Sequence, residues 1–103
     1  MKIWFAEQDV IDAACVYVAE TYQVPIERLN AELRYDEGIG IRGTVEDREH
    51  SRLFDLSERD LVDGAVLYLS NYHSFDPRRL TVELQFDENE GVTAVVEKVE
   101  VSG

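Results

Sequence analysis

Carboxylates are the groups in this chain with the number and spacing to do chemistry. Asp36–Glu37 recurs as Asp87–Glu88, with Glu90 close behind, and Asp12 recurs as Asp63. Clustered carboxylates hold divalent cations, and a coupled pair divides into an acid and a base. A calcium loop spreads its ligands over about a dozen residues at alternating positions. Neither acidic turn has that spacing, so a shared cation needs two hairpin tips lying side by side. Otherwise each is a solvated turn closed by a local Asx bond. Asp12 and Asp63 interrupt the apolar runs VIDAACVYVA and LVDGAVLYL. On a helical wheel they fall opposite the apolar stripe, toward solvent. A pair buried across a twofold axis would instead raise one pKa strongly and make an acid–base candidate.

Sulfur and imidazole add little. Cys15 is the single cysteine, which rules out an internal disulfide and fits a reducing compartment. His50 and His73 have no ligand partner at helical spacing. Cys15 has no neighbouring base in sequence to lower its pKa. No phosphate-binding glycine loop and no nucleophile elbow is present. The sequence therefore predicts no catalytic residue, no metal site, no cofactor and no enzyme.

Acids outnumber bases 22 to 10, for a net charge of −12. That field repels nucleic acid and anionic lipid, so neither nucleic acid nor a membrane is an expected partner. It favours solubility, and it would also steer the chain to a basic protein partner. MKIWFAEQD turns acidic before an apolar stretch long enough for a signal peptide, and AACVYVA is too short to span a bilayer. The expectation is a soluble cytoplasmic protein.

Positioning of the carboxylates follows from a duplication. Shifted by 51 residues, the segment 7–46 aligns with 58–97 without a gap and is identical at 14 of 40 positions. A repeat of about fifty residues cannot bury its apolar face alone, so the two copies must share a core. Each copy opens with a helix. Val10, Ile11, Ala14, Tyr17, Val18 and Tyr22 form one stripe, and Leu61, Val62, Ala65, Tyr68, Leu69 and Tyr72 its counterpart. Ser57 with Asp60 reads as a capping box, and Glu7, Asp9 and Glu58 suit the positive helix end. Pro25 and Pro77 lie beyond the helices, which run to about Tyr22 and Tyr72.

Two alternating strands follow in each copy, RLNAELRY and IGIRGTVE, then RLTVELQF and GVTAVVE, joined by turns at DEGIG and DENEG. IWF and RLF add a short strand before each helix, with Trp4 and Phe5 as core anchors, and EDREH turns the chain between copies. KVEVSG continues the alternation one step out of phase, which predicts a bulge or strand end near Glu97–Lys98. The fold class is α+β: a two-layer sandwich, an antiparallel sheet of four to six strands with two helices on one face, and an internal αββ duplication with pseudo-twofold symmetry. The chain is expected to be a single domain, 1–103, built from repeats at about 2–48 and 52–101.

Two surfaces stand out as interaction candidates. Val16 and Leu67, equivalent in the two copies, fall on the outward side of the wheel among acids. A matched apolar pair there predicts contact, helix against helix or protomer against protomer. The uncovered sheet face carries Glu32, Arg34, Arg42, Thr44 and Glu46 from one copy and Glu83, Gln85, Thr93, Val95 and Glu97 from the other. Cross-strand ion pairs account for it in water, and an open sheet also invites dimerisation.

The stretches FAEQDVIDAACVYVAETY, LRYDEGIGIRGTVE and FDPRRLTVELQFDENEGVTAVVE together resemble the YxcD-like family of small bacterial proteins over nearly the whole chain. The resemblance implies no activity and supplies no catalytic residues to carry over. The functional expectation is thus a small acidic module for protein interaction or self-association, most simply a homodimer. The alternatives are an antitoxin-like or immunity-like inhibitor of a basic partner, and a metal-binding protein or enzyme built on the repeated carboxylates.

Overall fold

The computed structural model describes residues 1–99. Strand β1 (Lys2–Phe5) leads into helix α1 (Glu7–Tyr22), a 3-10 turn (Ile26–Arg28), β2 (Leu29–Asp36) and β3 (Gly40–Asp47). The order then repeats as β4 (Arg52–Leu56), α2 (Glu58–His73), a 3-10 turn (Pro77–Arg79), β5 (Leu80–Asp87) and β6 (Gly91–Lys98). The α+β class and the matching halves are as the sequence predicts. No helix among the described residues is long and apolar enough to cross a membrane.

Local chemistry sets the element ends. Ser57 Oγ accepts from the Asp60 N–H at 3.2 Å while Asp60 Oδ2 accepts from the Ser57 N–H at 3.0 Å, closing the capping box. Ala6 occupies the same place before α1 and has no acceptor to offer. There Asp9 alone reaches back, to the Ala6 N–H at 3.0 Å. Both helices stop at residues in the left-handed region, Gln23 (φ 56°) and Ser74 (φ 59°). The last described strand ends at Lys98, near the predicted phase break, and Val101 lies outside the described residues.

The six strands divide between two antiparallel sheets, ordered β2-β3-β4 and β1-β6-β5, rather than forming one. Each hairpin therefore takes its third strand from the other half. β4 folds straight back on β3, whereas β1 crosses the molecule to pair with β6, matching Lys2 to Glu97 and Phe5 to Ala94. β2 and β5 stay at sheet edges and meet through a stack of Tyr35 on Phe86, ring centroids 4.6 Å apart.

Tyr35 and Phe86 are 51 residues apart, so their contact marks the pseudo-twofold axis. Two more self-equivalent pairs mark it on the helices. Glu20 Oε1 accepts from Asn71 Nδ2 at 3.3 Å, and Gly64 lies against the Ala13 carbonyl. Contacts two turns apart on both helices require α1 and α2 to run side by side in the same direction, with the axis between them. The molecule measures 49 × 31 × 19 Å, a thickness that fits one helix layer on one sheet layer. Val10, Ala14 and Val18 from α1, Leu61, Ala65 and Leu69 from α2, and Ile41, Val45, Val92 and Val96 from the sheets join one buried cluster.

Several side chains depart from the wheel and strand reading. Val16 is 2% exposed, not outward, because α1 is covered on two sides, by the sheets and by α2. Its counterpart Leu67 is half-buried. Tyr22 and Tyr72, placed in the apolar stripes, sit at the helix ends and are exposed, although the Tyr22 ring packs on Phe54 of β4 with centroids 4.6 Å apart. Tyr17 and Tyr68 are half-buried rather than in the core. Phe5 anchors β1 in the core, whereas Trp4, pointing to the other side of the strand, is 56% exposed.

Candidate functional site

The strands present their second face away from the helices, and the two sheets furnish it differently. On the β2-β3-β4 sheet, Arg34 Nη1 donates to Thr44 Oγ1 at 2.8 Å and Thr44 Oγ1 donates to Asp55 Oδ1 at 3.4 Å. Arg34 Nε also pairs with Asp36 at 3.2 Å. Cross-strand register makes this possible, since Thr44 sits opposite both Glu32 and Asp55. Glu32 is exposed and Arg42 half-buried, its Nε without a partner. Arg34, Asp36, Thr44 and Asp55 thus satisfy one another on this face.

The β1-β6-β5 sheet replaces that network residue for residue. Trp4 stands where Asp55 does, Val95 for Thr44, Gln85 for Arg34 and Thr93 for Arg42. Trp4 pairs with Val95, which pairs with Glu83 across the sheet. Glu83 and Gln85 are exposed as predicted, but Thr93 is only 2% exposed. A short side chain on the middle strand, with the longer Gln85 directly opposite, is shielded by its neighbours. Short of the hairpin tips, the combined outer face carries Lys2, Arg34 and Arg42 against Glu32, Glu46, Asp55, Glu83 and Glu97. That is a net −2 of the chain's −12.

The repeated carboxylates assemble no common site among the described residues. Asp87 Oδ1 accepts from the Asn89 and Glu90 N–H groups at 2.8 and 3.1 Å, a local Asx turn. Among the described residues no three of His, Cys, Asp and Glu converge on a common point. Asp12 is half-buried and accepts from Gln8 Nε2 at 3.0 Å, while Asp63 is exposed, so they form no buried pair. Burial, then the nearby Asp12, pushes the Cys15 thiol up to about 11, which leaves it a poor nucleophile.

Four carboxylates make structural contacts, of which the sequence reading assigned only that between Asp60 and Ser57. Glu58 Oε1 accepts from the Ile41 N–H at 2.8 Å, and Glu7 Oε2 accepts from the Val92 N–H at 3.1 Å. These are the same contact made twice across the axis. Gly40 (φ 104°) and Gly91 (φ 78°) admit it, because a Cβ at either would strike the incoming carboxylate. Asp47 is buried and meets Arg28 Nη2 at 2.8 Å. The hydrogen bond from that guanidinium holds its carboxyl below the usual range, against burial. Burial raises the pKa of Asp60, but hydrogen bonds from the Ser57 N–H and the Tyr17 hydroxyl, at 3.0 Å, outweigh it and lower the pKa overall. The signal was present in the identity of Glu7 with Glu58 and Gly40 with Gly91, although nothing in one copy indicates contact with the other.

Two clefts flank α2. One, about 280 Å³, is lined by Trp4, Phe5, Tyr68, His73 and Phe75 among others. The larger, about 460 Å³, lies between the helices and the start of β2, lined by Asp12, Cys15, Val16, Ile26, Leu29, Tyr68 and Tyr72.

A family profile described as a protein of unknown function, DUF2653, matches the chain twice, over residues 1–54 and 51–102. Each match covers one half of the fold. The uncharacterized protein YxcD of Bacillus subtilis strain 168 is 31% identical over 97 residues, covering 93% of each chain. No solved structure matches.

Proposed function

The chain belongs to the DUF2653 family of proteins of unknown function, and from that premise we propose that it is a self-associating interaction module. It pairs two copies through the outer face of the β1-β6-β5 sheet. The observation that carries this reading is Trp4, 56% exposed beside Val95 where the twin sheet has an aspartate in a hydrogen-bonded chain. A bare indole next to a valine gains from desolvation, and aromatic anchors of this kind dominate interface energetics. The near-neutral charge of the sheet face supports a second copy as the partner, since like-charge repulsion is weakest there.

Light scattering tests it. The wild type should run at twice the 11.8 kDa chain mass. Trp4→Asp with Val95→Thr installs the residues the other sheet already carries, so the fold should persist while the mass halves. Trp4 is the single tryptophan, so its emission should shift to the blue as the protein is concentrated. A wild type that stays monomeric at high concentration would reject the reading.

A basic partner is the second reading, favoured by the charge off the strands, a net −8 on the helices and turns of the described residues. Capture of one basic protein, weakening steeply with salt, would support it over pairing of copies.

A further inference from the structure

We propose that the cleft between the helices binds a small organic cation, an ammonium group carried on an apolar body. Its volume of about 460 Å³ falls in the range of small-molecule sites. Val16 and Leu29 supply a buried apolar floor, and Ile26 with Tyr72 an exposed rim. The rings of Tyr68 and Tyr72 stand 5.6 Å apart at 33°, presenting aromatic faces suited to a cation. Asp12 is the single carboxylate on the wall, and no lysine or arginine lines it. Arg48, the base whose field reaches Cys15, has its guanidinium on the Glu27 carbonyl at 2.8 Å.

The other half shows what makes this cleft distinctive. There Thr21 replaces Tyr72, Val66 replaces Cys15 and Pro77 replaces Ile26. The Tyr17 hydroxyl is spent on Asp60, whereas that of Tyr68 takes no hydrogen bond from its surroundings among the described residues. The Tyr17 phenol is thus committed to structure, whereas the cleft gathers the Asp12 carboxylate of α1 with the Tyr68 phenol and the Tyr68 and Tyr72 rings of α2 around a space. An anion would meet Asp12 and a net charge of −12. A neutral apolar molecule would leave the Asp12 charge uncompensated, with only the Gln8 amide on it. A cation with an apolar body satisfies both ends.

Benzylammonium, benzyl alcohol and benzoate are matched probes, read by NMR shift perturbation and calorimetry on the full chain. Benzylammonium should perturb Tyr68, Tyr72 and Leu29 and bind more tightly than the alcohol, with benzoate not binding. Asp12→Asn should weaken benzylammonium about fivefold and leave the alcohol unchanged, a loss of the size expected of one charge pair. Asp63→Asn, the equivalent change on the exposed side, should do nothing. The proposal is overturned if no probe binds, if the three bind alike, or if Asp63→Asn weakens binding as much as Asp12→Asn, since diffuse charge alone would then explain it.

Discussion

At the scale of single residues, the fold is pinned by a glutamate meeting a glycine twice. Gly38 and Gly91 both have positive φ, 83° and 78°, but nothing lies within 4 Å of a Cβ built on Gly38, while one on Gly91 would strike Glu7. Gly38→Ala therefore reports the backbone cost alone, about 1 kcal/mol. Gly91→Ala should cost about 1 kcal/mol more, because it also expels the acceptor of the Val92 N–H. In a Glu7→Ala background that excess should vanish, which urea unfolding of the double mutant would show. Asp47 belongs to the same scale. Its pKa is lowered in the folded state, so its contribution is present above the unfolded value of about 3.9 and fades as pH falls through the folded value. Asp47→Asn should destabilise the protein at neutral pH and converge on wild type as pH falls below the lowered folded value. A difference that persists undiminished in acid would mean that packing, and not the Arg28 pair, is what Asp47 provides.

At the scale of elements, the helix pair shows how far periodicity reaches. Helix spans, the capping box, both hairpins and the short leading strands were legible because each is fixed by neighbours in sequence: Ser57 with Asp60, the glycine turns, and alternation in LRY and LQF. Val16 and Trp4 were not, since their burial depends on what the other half places beside them. A wheel has one buried side, but α1 has two. Ala13 and Gly64 gave no sequence signal beyond being small, yet they set how closely the helices approach. A Cβ on Gly64 would lie 2.6 Å from the Ala13 carbonyl oxygen and 3.1 Å from Tyr17 Cβ. That contact is with backbone, so the helices must separate. Gly64→Ala should therefore destabilise by about 1–3 kcal/mol despite the roughly 1 kcal/mol that alanine gains in a helix. Ala13→Gly should cost only the propensity, about 1 kcal/mol. A more stable Gly64→Ala protein would show the helices to be looser than their geometry indicates.

At the scale of the whole molecule, the chain behaves as a ring cut once. Residues 48–51 join β3 to β4, and the same count, 99–102, separates Lys98 from a bond to Met1 that would close two 51-residue periods. The two seams are already alike: Asp47 pairs with Arg52 at one, and at the other the Lys98 N–H donates to the Met1 carbonyl at 2.9 Å. The pairing of β1 with β6 is thus the costly closure of the fold, linking residues 89 to 95 positions apart, whereas β3 with β4 is a local turn. Moving the cut should exchange those roles. A permutant in which Ser102 is joined to Met1 and the chain opens between His50 and Ser51, in an exposed turn, should keep the same fold and unfold cooperatively, with a Tm within a few degrees of wild type. Its folding rate should hardly change, because permutation trades one local and one distant seam for another such pair. If it fails to fold, the β3–β4 turn carries a role that its counterpart seam does not share, and the two halves are less equivalent than their contacts across the axis imply.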